Sequence, residues 1–278
     1  MIGFDSAWTA GKQGAIVGAL RSEDGLYHEL GPPQAASFEQ ATKIIRGWQS
    51  DEKPTRTIVM LDQPTVVRNS FGQRPVENLV SSVVGRLGGG VQPSSTKRAA
   101  MFGASAPIHA FLKAFGGAAN PAAPVVGTYV LETYPVLSLV ELGWTNPDGE
   151  GEARLPKYNP QRKTFKTADA QFVRDNILRV LPQPGFDRTR HWLRQVEEPA
   201  TSRRMNERKA DQDGIDACLC LLVGIRVANR QKCLLVGSAD TGYMVVQNEN
   251  RLRSELVERR EEAGWDESNV SVRVMTFG

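Results

Sequence analysis

The sequence predicts an α/β domain, because short apolar segments that favour strands alternate with longer segments of helical periodicity. Three strand segments, a helix and a fourth strand follow one another within the first 62 residues. A later strand and a helix that is apolar almost all round continue the same pattern. Such an order is typical of a sheet that helices cover on its faces. We therefore expect one central sheet packed between helices.

The first strand is predicted in the apolar run MIGFDSAW at residues 1–8, which carries one carboxylate, Asp5. The run is short, rich in strand formers and bounded by Gly11 and Gly14. A charge in a buried strand costs several kcal/mol unless a partner or a metal compensates it. Nothing about a strand interior requires an acid, so Asp5 is the first candidate for a functional residue.

The elements up to residue 142 place two further acids directly after apolar strands. Ser37 can cap a helix whose apolar residues recur at helical spacing as far as Trp48. Glycines at 88–90 end a later helix, and residues 91–106 look irregular and mobile. Asp62 follows the fourth strand and Glu132 the fifth. After the first, strands are predicted at residues 13–20, 26–30, 57–61 and 125–131, and the later helices at 75–86, 108–115 and 135–142.

The second half of the chain contains an insertion, a buried helix and a terminal extension. Residues 144–159 are rich in glycine, proline and asparagine, and they open an insertion that ends near residue 210. The buried helix is predicted to begin with Asp213 at its cap, and Ala217 is small enough to let it approach the first strand. The remaining predictions are helices at 167–181 and 188–196, a basic connector at 199–209, the buried helix at 213–228, a hairpin at 233–246, a helix at 250–263 and a strand at 270–275.

Composition narrows the class of protein. Hydrophobic residues make up 40% and charged residues 23% of the chain, as in ordinary globular proteins. No apolar run approaches the roughly 20 residues that span a bilayer, and Asp5 interrupts the only candidate leader, so we expect a cytoplasmic protein without a membrane partner. Cys218 and Cys220 fit no zinc pattern and are expected to be buried thiols. The sequence gives no indication of the oligomeric state.

Positive charge is concentrated in one segment. The whole chain carries +3, but residues 154–209 hold 14 Lys or Arg against 6 Asp or Glu, which is +8 and leaves 3 − 8 = −5 for the remainder. Such a segment suggests a polyanion partner, and a solvated surface explains it equally well.

The acids suggest a metal site. Asp5, Asp62 and Glu132 end strands, and an open α/β sheet binds its ligands beyond the carboxyl ends of its strands. Asp213 and Asp216 are three residues apart on one helix face. Carboxylates without a nucleophile–base pair suit Mg²⁺ or Mn²⁺, and two such ions about 3.5–4 Å apart can drive phosphodiester hydrolysis. Each acid also has a structural explanation: a turn at Asp62, a helix cap at Asp213 with Asp216 in the first turn, and an arginine partner for Glu132.

Five motifs resemble the predicted RNase H-like nucleases that are catalogued as domain-of-unknown-function family 429. The resemblance covers roughly residues 1–246. It implies an RNase H-like fold with a five-stranded mixed sheet flanked by helices, a domain at 1–248 with the insertion at about 144–210, and a C-terminal appendage at 249–278. The motifs are GFDSAW at 3–8 with GAI at 14–16, LDQPT at 61–65, ETYP at 132–135, Lys157-Tyr158 with Arg162, and DGIDA at 213–217 with the hairpin from Gly237.

The resemblance implies a metal-dependent nuclease that acts on nucleic acid. It assigns Asp5, Asp62, Asp213 and Asp216 as metal ligands, with Glu132 as a further catalytic acid, and it includes Glu77 without a role. There are two alternatives. The first is a phosphotransferase or ATPase of the actin-like group, which normally needs a glycine- and hydroxyl-rich turn where this chain has SAW at 6–8. The second is a non-catalytic nucleic-acid-binding protein. Expected contacts to nucleic acid are Lys157, Arg162, Lys163, Arg203 and Arg204.

Overall fold

The computed structural model describes residues 1–123, 127–147, 150–196 and 205–277, with the backbone alone for Met205 and Asn206. Helices and strands alternate largely as the sequence predicts. The strands are β1 (Ile2–Asp5), β2 (Gly14–Arg21), β3 (Tyr27–Ala36), β4 (Arg56–Asp62), β5 (Gly127–Glu132), β6 (Asn146–Pro147), β7 (Ala153–Arg154), β8 (Cys233–Ser238), β9 (Gly242–Gln247) and β10 (Val272–Met275). The helices are α1 (Phe38–Glu52), α2 (Pro75–Arg86), α3 (Ala99–Phe102), α4 (Pro107–Ala114), α5 (Pro135–Glu141), α6 (Thr167–Val180), α7 (Asp187–Gln195), α8 (Met205–Ala228) and α9 (Arg253–Glu262).

The central sheet has five strands in the order β3-β2-β1-β4-β5. The β1–β4 and β4–β5 pairs are parallel, whereas β2 is antiparallel to both of its neighbours. An α/β architecture with a five-stranded mixed sheet is thereby confirmed. No helix among the described residues is long and apolar enough to cross a membrane.

The two faces of β1 bury different groups because side chains alternate across a strand. Phe4 packs with Phe38 of α1 and Phe111 of α4 on one face. On the other face α8 approaches so closely that a Cβ on Gly3 would lie 2.1 Å from the carbonyl oxygen of Ala217. Asp5 shares this second face with Gly3, so the strand directs its carboxylate towards α8.

A second sheet brings the end of the chain onto the body of the protein. β8 pairs with β9 and with β10, which gives the order β10-β8-β9. Leu252 directly precedes α9, and Leu256 lies within it. Both are buried in the same core cluster as residues of α2 and α8. The last helix and strand are therefore packed into the structure.

Three elements differ from the sequence predictions. β3 extends to Ala36 through two prolines, which the edge of the sheet tolerates because its outer N–H groups need no partner. A short helix, α3, lies within the stretch 91–106 that was expected to be irregular. The helix α8 begins at Met205, eight residues before Asp213, so the predicted cap at Asp213 is wrong. The three cysteines are free and buried, as expected.

Candidate active site

The carboxyl ends of β1 and β4 bring the first two acids together. The parallel register places Asp5 directly beside Asp62. The segments that follow are tied to each other, because the Ser6 hydroxyl donates to Gln63 Oε1 at 2.6 Å. The Trp8 indole also donates to the backbone oxygen of Asp62 at 2.9 Å. The two carboxylates are thus held by neighbouring strands whose ends are fixed by hydrogen bonds.

The helix α8 adds Asp213 and Asp216 to this pair. Asp5, Asp213 and Asp216 are all more than nine-tenths buried. Burial raises the pKa of Asp5 well above its ordinary value, and the charges of Asp216, Asp62 and Asp213 raise it further. Burial likewise raises the pKa of Asp62, and Asp216 is again the strongest charged contributor. The four aspartates that the sequence assigned as ligands therefore lie close enough to repel one another.

Both carboxylate oxygens of Asp216 accept hydrogen bonds. The Tyr158 hydroxyl donates to its Oδ1 at 2.6 Å, and the Gln212 amide donates to its Oδ2. Burial raises the pKa of Asp216 to about 6, although the Tyr158 hydrogen bond and the Lys209 charge oppose this rise. Gln212 Oε1 is buried and has no hydrogen-bond partner within the part of the chain that the structure describes.

Lys209 is the cation that offsets part of this charge. It lies four residues before Asp213 on α8, and its ammonium pairs with the Asp213 carboxylate. Burial lowers the pKa of Lys209, but the charges of Asp5 and Asp213 and the bond to Asp213 outweigh it and leave the pKa raised. Within the described ranges, the interactions of this cluster therefore set one ammonium against four carboxylates, which leaves an excess of negative charge.

Glu132 is placed differently from the four aspartates. Its carboxylate accepts two bonds from Arg74, at 2.9 and 2.5 Å, and one from the Thr65 amide at 2.9 Å. Arg74 is completely buried and also donates to Glu77 at 2.8 Å. Both oxygens of Glu132 are thus engaged, so the geometry favours its structural explanation, an arginine partner, over a direct catalytic role. Glu77 has a structural role in the same network of charged groups. Besides its bond to the Arg74 guanidinium, its carboxylate accepts hydrogen bonds from the backbone amides of Arg74 and Ser94.

A cleft of about 700 Å³ opens onto the cluster. Asp62 and Asp216 lie in its wall together with Trp8 and Tyr158. The glycines at 88–90 line it as well, and the Tyr134 hydroxyl donates to the Gly90 carbonyl at 2.7 Å. The cleft therefore gives a molecule from solvent access to Asp62 and Asp216.

The expected nucleic-acid contacts fall into three groups. Lys157 and Arg162 line the cleft, and the Lys157 ammonium donates to the Gly88 carbonyl. Lys163 is exposed and does not line the cleft. Arg203 and Arg204 lie outside the described residues. The guanidinium of Arg162 is exposed and has no ion-pair partner among the residues that the structure describes, so it is available to an anion.

The donor atoms around the cluster suit a hard divalent cation. Across the described ranges, no three His, Cys, Asp or Glu side chains already surround one point as ligands of a single ion. The available donors are nevertheless all oxygens: four carboxylates and the unpartnered Gln212 Oε1. Oxygen ligands of this kind are those that Mg²⁺ and Mn²⁺ prefer. A bound cation would also relieve the repulsion that raises the carboxylate pKa values.

Sequence reasoning missed the residues that support the acids. Lys209 and Gln212 stand four residues before Asp213 and Asp216, at the spacing where helical side chains meet. That signal was present but was hidden because the helix was predicted to begin at Asp213. Arg74 and Glu77 are similarly close, three residues apart at the start of α2, but nothing local indicated the bond from Arg74 to Glu132, which is 58 residues away.

Comparison with known proteins gives one finding. The family model described as Protein of unknown function (DUF429) matches residues 3–241, a range that includes all of the acids above. No curated protein and no solved structure gives a significant match.

Proposed function

The chain belongs to the family of proteins of unknown function DUF429, and we propose that it is a metal-dependent nuclease that hydrolyses phosphodiester bonds of nucleic acid. The observation that carries this proposal is the convergence of Asp5, Asp62, Asp213 and Asp216 from two strand ends and one helix. We also infer an RNase H-like fold, because the mixed five-stranded sheet with helices on both faces agrees with the fold that the family resemblance implies.

The aspartates would hold Mg²⁺ or Mn²⁺. Bound ions would supply the activation of a water molecule and the stabilisation of the leaving oxygen, as in two-metal phosphodiester hydrolysis. Asp5 and Asp62 present their carboxylates from adjacent strands, and Asp216 presents its own from the opposing helix. Gln212 Oε1 is a further neutral donor at the same place. The chain thus supplies donors from two strands and a helix, which favours a fixed site.

The surrounding residues orient these acids. Tyr158 and Gln212 fix the Asp216 carboxylate through hydrogen bonds to its two oxygens. The ion pair of Glu132 with Arg74 holds the segment after β4, because Glu132 binds the Thr65 amide and Arg74 binds the Val66 carbonyl at 3.0 Å. These groups would act by positioning Asp62 and Asp216, since orienting partners of metal ligands govern both affinity and activity.

The actin-like phosphotransferase alternative receives less support. The turn that it needs after the first aspartate is SAW at 6–8, where the Trp8 indole instead donates to the Asp62 carbonyl at 2.9 Å. The glycine segment at 88–90, which lines the cleft, is the other place where a phosphate could bind. The amides of Gly88 and Gly89, however, donate to the carbonyls of Gly85 and Val84. These bonds end α2, so the two amides cannot cradle a phosphate. The segment functions as a helix stop, as the sequence predicts.

Metal titration and cleavage assays on the same protein test the proposal. Mg²⁺ and Mn²⁺ binding would be followed by titration calorimetry, and cleavage would be followed with labelled single- and double-stranded DNA and RNA. We expect metal-dependent cleavage by the wild type and none by Asp5→Asn. Equal cleavage by the two proteins would refute the assignment of the acids. Metal binding without cleavage of any of the four substrates would favour the non-catalytic nucleic-acid-binding alternative.

A further inference from the structure

The cleft differs from the open basic groove that a duplex would occupy. Its volume of about 700 Å³ lies within the range of sites that enclose a small ligand. Two aspartates lie in its wall: Asp216 is only 5% exposed, and Asp62 is half-buried. The phosphates of a stiff duplex lie on the outside of a rod, so a site with a buried carboxylate suits a flexible single strand better.

The wall of the cleft combines several kinds of side chain. Asp62 and Asp216 contribute carboxylates, beside which a bound cation would attract a phosphate. Tyr134, Val136 and Leu155 supply aromatic and aliphatic surface in the same wall. The exposed Arg162 guanidinium lies on the lining too. A complementary molecule therefore carries a phosphate, a flat and largely apolar body and a second anionic group.

We infer that the cleft binds one unpaired nucleotide, with its phosphate towards the acids and its base against Tyr134, Val136 and Leu155. This inference rests on the proposed nuclease function and adds the class of substrate to it. A base stacks on aromatic and apolar side chains without sequence preference. Enzymes whose acting groups are buried commonly receive such a nucleotide from a single strand or by extrusion from a duplex. Arg162 would bind the next phosphate of the strand.

A substitution at Gly90 tests the cleft without disturbing the acids. Gly90 lines the cleft, and a Cβ built on it meets no heavy atom within 4 Å. A Gly90→Leu side chain therefore meets no clash at its Cβ and adds bulk to the lining of the cleft. Gly85 is the matched control. A Cβ built on it also meets nothing within 4 Å, and it is an exposed residue near the end of α2 that does not line the cleft.

The primary measurement is the affinity of a fluorescent oligothymidylate, with calcium present to permit binding in the absence of rapid turnover. We expect Gly90→Leu to weaken binding about tenfold or more, which is the loss of roughly one stacked base. Gly85→Leu should bind as the wild type does. Arg162→Ala should weaken binding and flatten its salt dependence by about one phosphate contact, whereas the neighbouring Lys163→Ala should do neither.

Two further probes identify the source of the nucleotide. A blunt duplex of the same sequence should bind much more weakly than the single strand. Thymidine monophosphate should compete with the strand if free nucleotides also enter the cleft. Equal affinity of Gly90→Leu and wild type for the single strand would overturn the inference, even if both proteins cleave it. Gly90-dependent binding without cleavage would instead sustain the inference while the nuclease proposal fails.

Discussion

Asp216→Asn is expected to stabilise the metal-free protein. The carboxylate is buried beside three other aspartates, and asparagine has almost the same shape without the charge. The new amide also has a partner, because Gln212 can turn its unpartnered Oε1 towards it. Tyr158 can still donate to the remaining oxygen. The substitution therefore removes charge while it preserves the hydrogen bonds around the site.

The size of the effect follows from the pKa of Asp216. Its folded-state pKa is raised from 3.8 to about 6, so the folded protein binds this proton more tightly than the unfolded chain does. The free energy of unfolding consequently falls as the pH rises from about 4 through about 6. A pKa difference of about two corresponds to about 3 kcal/mol at neutral pH. For a chain of this size that free energy corresponds to a rise in Tm of roughly 5 to 10 °C in the variant.

Thermal melts in chelator at several pH values measure this difference directly. The Tm advantage of Asp216→Asn should be small near pH 4 and should grow to its full size above pH 6. Asp51→Asn, on the exposed end of α1, removes the same charge away from the site and should leave the Tm unchanged. If Asp216→Asn melts below the wild type at pH 7, or if its advantage does not vary with pH, the argument that the buried Asp216 charge destabilises the metal-free protein is refuted.

The remaining predictions concern the other charged groups. Asp5→Asn should abolish stabilisation by Mg²⁺ in a thermal melt, yet the metal-free variant should melt no lower than wild type; retained Mg²⁺ stabilisation would contradict Asp5 as a ligand. Lys209→Met should lower the metal-free Tm, and calorimetry should show Mg²⁺ binding several-fold tighter, because the Lys209 ammonium competes with Mg²⁺ for Asp213. Weaker Mg²⁺ binding would instead make Lys209 a partner of the metal site. Arg74→Met should lower the free energy of unfolding, measured with denaturant, by about 3–5 kcal/mol, because the buried carboxylates of Glu77 and Glu132 lose their partner. Adding Glu132→Gln should restore part of this stability. No restoration would contradict the charge argument.

Local signals were sufficient for most of the fold. Ser37 caps α1 with the Gln40 side chain in a capping box, and Pro75 opens α2 at the predicted residue. Each of these features depends on residues within one turn of each other, which a sequence displays directly. The extension of β3 through its prolines depends instead on its place at the sheet edge, which is a property of the assembled fold.

The same distinction applies to the candidate site. Asp5 was identifiable because a buried strand offers no reason for a carboxylate. Glu132 follows a strand in the same way as Asp62, and only the tertiary structure separates them by giving Glu132 a buried arginine. Asp213 was predicted as a helix cap because an acid often begins a helix, and the preceding basic residues resembled a connector. The helix in fact continues back to Met205, which gives Asp213 a lysine one turn earlier.

The close contact between α8 and β1 connects the packing of the core with the charge of the site. Gly3 and Ala217 are both small, and the backbone of α8 therefore lies where a side chain on residue 3 would have to be. Asp5 is two residues after Gly3 on the same face of the strand, and Asp216 directly precedes Ala217 on the helix. The approach that buries the core consequently also forces these carboxylates together, at a cost in charge repulsion that a well-packed interface can sustain. A cation bound between them would convert this repulsion into attraction, so the proposed metal would be held at the point where packing already concentrates negative charge.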